Sequence, residues 1–335
     1  MALDAQKTGY SIDEEIPPRV IALSGGIGGA KLVLGLSNII PDESLLAVAN
    51  TGDDFEHLGL SISPDIDTLT YTLAGINNQE MGWGRAGETW TFMKALASLG
   101  GENWFNLGDG DLAIHIERTR RLAAGESLTS VTRTFAKRLG ISVQILPMTD
   151  DPVRTIVQTE EGEMAFQHYF VRERCRPVVI SFNFEGAESA HVNPEIIKAL
   201  SDPALKAIVI CPSNPFISID PILSVPGMRE ALRKSAAPVL AVSPIVGGQS
   251  IKGPTAKMMI ELGLPSAALS VAEHYKNVID GFILDRVDEM YSEAVKGMGI
   301  AVQVSNTLMN SMEDRVQLAK EVLKFADGLP GKKEF

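Results

Sequence analysis

Residues 20–40 constrain the chain more than any other stretch. A five-residue run, Val20–Ser24, apolar up to its last residue, meets Gly25-Gly26-Ile27-Gly28-Gly29, and a periodic apolar pattern follows directly. A short apolar run bounded by glycine reads as a buried strand. Leu32, Val33, Leu36, Ile39 and Ile40 fall on one face of a helix over 30–40. A second strand follows at 44–50. Ser63 and Pro64 have the form of an N-cap and first helical residue, opening a helix with Ile66, Leu69 and Leu73 inward. Strand, helix, strand and helix in this order predict an α/β protein with a parallel, doubly wound sheet.

From about 82 to 140 the strand pattern disappears. Residues 89–99, 112–124 and 128–139 are helix-like, and the stretch reads as a helical insertion (82–140) in an α/β core formed by 18–81 and 141–335. Strand signals return at 141–146. Residues 153–159 and 162–169 suggest an antiparallel hairpin. Further strands are expected at 207–211, 238–243, 281–284 and 300–304. Ser311 to Asp314 has capping-box form and opens a final helix over 312–326. Residues 1–17 are polar and acidic, with no basic segment leading into an apolar one. They read as a loose tail and not as a signal peptide.

Charge narrows the partners. The net charge of −12 over 335 residues repels nucleic acid and anionic lipid, so neither is an expected partner. A phosphorylated ligand would need local positive potential from backbone N–H groups, a few Lys or Arg, or a metal ion. No apolar run approaches the roughly 18–20 residues needed to span a bilayer. The two cysteines, Cys175 and Cys211, lack a CxxC or metal-type spacing, which fits a reducing cytosol.

Six loops are candidates for chemistry. In the first, Gly25, Gly26, Gly28 and Gly29 precede Lys31 between a strand and a helix. Glycines there admit a ligand close to the backbone, and helix N-terminal N–H groups favour phosphate; the alternative is a turn serving only strand–helix packing. The second is Asn50-Thr51-Gly52-Asp53-Asp54. Asp53 and Asp54 at a strand's carboxyl end suit Mg²⁺, which takes one or two carboxylates plus substrate oxygens; an Asx-rich turn is the plain alternative. In the third, Asp65 and Asp67 sit in a first helical turn, where the helix dipole favours anions whatever the function. The fourth holds Asp109 and Asp111 around Gly110, with His115 beyond, a histidine that reads first as a packed residue. The fifth offers Ser213, Asn214 and Pro215. The sixth offers Gly247 and Gly248, then Lys252, Gly253 and Pro254. Four of these loops fall at strand carboxyl ends, where open α/β sheets bind ligands.

These loops, in this order, resemble the 2-phospho-L-lactate transferase family of coenzyme F420 biosynthesis. The matching stretches are SGGIGGAKL from Ser24, NTGDDFEHLGLSISPDIDT from Asn50, GWG from Gly82, LGDGD from Leu107, LPMTDDPV from Leu146, CPSNPFISIDPIL from Cys211, and SPIVGG with KGP from Ser243. The resemblance runs from about residue 19 to 325. It implies a Rossmann-like core, Mg²⁺ dependence, a homodimer, and transfer of a phospho-three-carbon acid from a GDP-linked donor to the ribityl hydroxyl of the deazaflavin Fo, with GMP leaving. It places Asp54, Asp67 and Asn106 at Fo and metal positions, with Asp54 or Asp67 orienting or deprotonating the hydroxyl. Gly110 departs from the family, where Arg is frequent. The glycine loops, Lys31, Ser213, Asn214, Pro215, Gly247, Gly248 and Gly253 fall to the nucleotide and its phosphates.

Two rival functions fit parts of the pattern. An NAD(P)-dependent oxidoreductase shares the strand–glycine–helix unit, but Lys31 stands where its third glycine belongs. A nucleotide-sugar-binding regulator shares the first loop and the NTGDD stretch, but not the residues from Phe55 to Thr68.

Overall fold

A computed structural model describes residues 18–329; the tail expected at 1–17 lies outside them. Seven strands form the central sheet: β1 (Val20–Ser24), β2 (Leu45–Ala49), β3 (Gln144–Pro147), β4 (Ala207–Ile210), β5 (Val239–Val242), β6 (Gly281–Asp285) and β7 (Ala301–Ser305). All neighbouring pairs are parallel, and the spatial order is 3-2-1-4-5-6-7. The order reverses between β1 and β4, as in a Rossmann-type doubly wound sheet.

The apolar runs of β1 and β2 are continuous because both faces of the sheet are covered. Ile21, Leu23, Leu46 and Val48 face one core. Val20, Ala22, Leu45 and Ala47 face the other, with helices α1 (Gly26–Ser37) and α2 (Pro64–Leu73) and the terminal helix Met312–Gly328. Helix α1 and the terminal helix approach closely at Gly35, where a Cβ would stand 2.3 Å from the Arg315 carbonyl oxygen. The capping box expected at Ser311 and Asp314 is formed.

The segment between α2 and β3 carries α3 (Thr91–Ser98), α4 (Asp109–Ala123) and α5 (Leu128–Arg138). Met93, Leu107 and Leu112 gather with Ile62 into a small third core. Ile62 belongs to a hairpin, Phe55–His57 with Leu60–Ile62, that the sequence reading did not anticipate. The expected hairpin after β3 is shorter than predicted: Arg154–Thr159 pairs with Gly162–Ala165 only. The chain then coils through His168–Arg172, because Phe166 and Tyr169 turn into the core. A third strand, Val179–Glu185, pairs with the other edge of Arg154–Thr159. No helix among the described residues is long and apolar enough to cross a membrane.

Candidate active site

A cavity of about 610 Å³ opens at the carboxyl ends of the strands, at the β1/β4 reversal. Its walls come from the turns after β1, β2, β4 and β5, the N-terminus of α2, the α4 segment and residues 166–171.

Asn50 ties the first turns together. It is fully buried. Its Nδ2 donates to Asp65 Oδ2 at 2.9 Å and to the Ile217 carbonyl at 3.1 Å, and its Oδ1 accepts from Gly52 N–H at 2.8 Å. Asp65 Oδ1 accepts from Gly26 N–H at 2.7 Å. Ser213 Oγ accepts from Gly25 N–H and donates to the Gly25 carbonyl. Helix α1 therefore begins inside the glycine run, and the N–H groups of Gly25 and Gly26 are engaged by Ser213 and Asp65. Gly28 and Gly29 pack against the turn after β4. A Cβ at Gly28 would stand 2.4 Å from the Pro212 carbonyl oxygen, and one at Gly29 would stand 2.6 Å from Ser213 Oγ. Gly25, Gly26 and Gly28 line the cavity; Gly29 does not.

The acidic pair divides. Asp53 lines the cavity, and its Oδ1 has no hydrogen-bond partner in the protein. Burial, then the neighbouring Asp65 carboxylate, pushes Asp53 well above the usual carboxylate range. Asp54 does not line the cavity. It lies behind the wall, 7% exposed, with Ser63 Oγ donating to its Oδ2 at 2.7 Å. Ser63 thus serves Asp54 instead of capping α2. Burial raises Asp54 to about 7, against hydrogen bonding from Ser63. Burial also raises Asp65 to about 6, against the bonds from Asn50 and Gly26. The expectation that Asp53 and Asp54 act as a pair at the cavity is corrected: a tight turn places successive side chains on different sides, and only Asp53 faces inward.

Asp67 lines the cavity but is not free. Arg118, 1% exposed, donates Nη1 to Asp67 Oδ2 at 3.1 Å and Nη2 to Asp67 Oδ1. His115 Nδ1 lies 3.2 Å from Arg118 Nη1. Arginine only donates, so Nδ1 is the acceptor and the ring proton sits on Nε2, 3.2 Å from Asp111 Oδ2. Tyr71 donates to Asp111 Oδ1. Burial opposes the charge on Asp111, but the bonds from His115 and Tyr71 leave its carboxyl below the usual range. Asp67, Tyr71, Asp111 and His115 all line the cavity. Asp109 instead caps α3, accepting from Thr91 and Phe92 N–H groups.

Asn106 lines the cavity beside Phe105, and Ser213, Asn214 and Gly253 line it too. Pro215, Gly247 and Gly248 do not. Gly247 and Gly248, with φ of +57° and +77°, form the two-residue turn joining Ile245–Val246 to Gln249–Ser250. Only glycine adopts both conformations without strain, so hairpin geometry accounts for this pair. Lys31 and Lys252 are the lysines on the wall. Lys31 Nζ donates to the Met309 carbonyl at 3.0 Å, and burial, then Arg315 and Lys252, hold it below the usual lysine range. Met81, Trp83, Phe166, Phe170 and Ile251 add apolar surface.

A magnesium ion is consistent with these groups. Among the described residues, no three His, Cys, Asp or Glu side chains are arranged to hold a metal alone. The unpartnered oxygen of Asp53, with Asp65 next to it, suits an ion whose shell is completed by water and substrate oxygens.

A doubly wound sheet with one large cavity of carboxylates, lysines and aromatic rings at its reversal defines a Rossmann-like α/β enzyme of small polar substrates. Residues 20–321 match the family described as 2-phospho-L-lactate transferase CofD. A phosphoenolpyruvate transferase from Streptomyces coelicolor is 40% identical over 92% of this chain and 98% of its own length. A 2-phospho-L-lactate transferase from Methanosarcina mazei is 38% identical over 91% and 99%. A solved UPF0052 family protein from Bacillus halodurans shares the fold at 15% identity, with a TM-score of 0.61 over 91% of this chain and 99% of that one. The chain belongs to the 2-phospho-L-lactate transferase CofD family and is a transferase.

Proposed function

We propose that this enzyme works in the cytosol in coenzyme F420 biosynthesis, moving a phospholactyl, enolpyruvyl-phosphate or phosphoglyceryl group from a GDP-linked donor to the ribityl hydroxyl of Fo and releasing GMP. The observation that carries the reading is the convergence on one cavity of Lys31, Lys252 and Asp53, whose Oδ1 has no hydrogen-bond partner, in a chain whose relatives at 38–40% identity are named for two of these transfers.

In-line attack of an alcohol on a diphosphate passes through a loose transition state, so positioning and charge neutralisation matter most. Lys31 and Lys252 offset the anionic donor. Asp53, with Asp65, would hold Mg²⁺, which supplies charge neutralisation on the leaving phosphate. Asp67, fixed by Arg118, keeps lone pairs that orient the attacking hydroxyl, and Asn106 adds a polar contact beside Phe105. Trp83, Phe105, Phe166 and Phe170 suit a planar tricyclic acceptor.

Purified protein with Mg²⁺, Fo and the three GDP-linked donors in competition, followed by mass spectrometry, tests this reading. The expected result is one dominant Fo phosphodiester with stoichiometric GMP. Tight donor binding without any Fo product would favour a nucleotide-binding regulator and reject the transferase reaction.

A further inference from the structure

Arg118 joins four elements while staying off the cavity wall. It lies on α4, 1% exposed, and its guanidinium donates to both oxygens of Asp67 on α2. Nη1 also reaches the Ser61 carbonyl of the 55–62 hairpin at 3.3 Å and His115 Nδ1 at 3.2 Å. The guanidinium carbon stands 6.0 Å from the Phe135 ring centroid on α5. Nothing in the lining of the cavity includes it, yet Asp67 and His115, which it holds, both belong to that lining.

We propose that Arg118 is a positioning residue for the acceptor side of the transfer, setting the place of Asp67 and the tautomer of His115. The proposal rests on the transferase reading above. A carboxylate gripped at both oxygens by a planar fork has one orientation, whereas a buried carboxylate without that partner rotates or draws in water. His115 Nε2 in turn faces Asp111 Oδ2 at 3.2 Å, so one guanidinium fixes the Asp67 carboxylate and a ring on the wall. Displacing such groups by about 1 Å costs on the order of a hundredfold in rate.

The test compares wild type, R118M, R118K, D67N and the double variant R118M/D67N for turnover, with circular dichroism and melting temperature alongside. R118M is expected to lose about a hundredfold in kcat with the donor KM nearly unchanged. Added guanidinium ion is expected to restore part of that loss, and the double variant is expected to be no slower than the slower single one. Should R118M fail to fold, R118K carries the test, with a reduced kcat and an unchanged donor KM as the expected outcome. A folded R118M or R118K at near wild-type turnover overturns the assignment. So does a loss that guanidinium leaves untouched and that multiplies with D67N, since that is a purely structural role. Wild type that makes no Fo product overturns the transferase reading, and this assignment with it.

Discussion

Asn50 donates to Asp65 across 2.9 Å, and this bond links the turn after β2 to the first turn of α2. The same amide reaches the Ile217 carbonyl, and its oxygen receives Gly52 N–H. Asn50→Ala strands all three partners around a fully buried position. Each unsatisfied buried group costs about 1–3 kcal/mol, so the variant is expected to lose about 3 kcal/mol or more of stability. Urea denaturation checks this. A loss under about 1 kcal/mol would mean that water enters and replaces the amide.

The separation of Asp53 from Asp54 predicts unequal effects on turnover. Asp53 lines the cavity, while Asp54 lies off its wall and accepts from Ser63; each keeps one buried oxygen without a hydrogen-bond partner. Asp53→Asn is expected to lower kcat about a thousandfold, and Asp54→Asn about tenfold or less. Steady-state kinetics over a Mg²⁺ series reads both. Equal losses in the two variants would show that Asp54 reaches the substrates.

Asp54 also makes stability depend on pH. Its folded-state pKa of about 7 lies above the unfolded value near 4, so the native state binds the proton more tightly. Its stabilising contribution is full below about pH 4 and is lost as pH rises towards 7. Asp53 and Asp65, also raised, act with the same sign. Asp54→Asn removes only its own share. Relative to wild type, the variant is expected to be more stable at pH 8 than at pH 5 by roughly 1–3 kcal/mol. Denaturant midpoints at the two pH values measure the difference, and parallel curves would refute it.

Much of this architecture is legible from local chemistry. Strands buried on both faces read as unbroken apolar runs, so all seven central strands were anticipated to within a few residues. The edge strand Val179–Glu185 was missed although Phe182 and Phe184 alternate with Ser181 and Asn183, because nothing local shows that Arg154–Thr159 has a free side to accept it. The glycine run, by its local sequence alone, suits phosphate. Two of its N–H groups instead meet Ser213, 188 positions away, and Asp65, 39 positions away, partners that only the fold brings near. Arg118 is harder still. In the run Arg118-Thr119-Arg120-Arg121 it resembles a solvated helix face. The available signal was spacing: Asp111, His115 and Arg118 share one face of α4 at i, i+4 and i+7, which a surface helix has no need to align.

Lys31 provides a direct readout of anion binding. Burial, then the positive charges of Arg315 and Lys252, hold its pKa below 10.5 in the free protein. An anion placed against Lys31 and Lys252 favours the charged ammonium and raises that pKa again. Binding sulfate, an anion that does not itself titrate there as the guanine N1–H of GDP does, is therefore expected to draw protons from solution at pH 9 to 10, on the acid side of the usual lysine range, into which Lys31 is shifted. Calorimetric titrations in buffers of different ionisation enthalpy give the number of protons taken up. Lys31→Met is expected to abolish the uptake and weaken sulfate binding by about tenfold, an effect in the range of one lost charge-assisted hydrogen bond. Proton uptake that persists in Lys31→Met would assign the titration to another group and leave Lys31 outside the phosphate site.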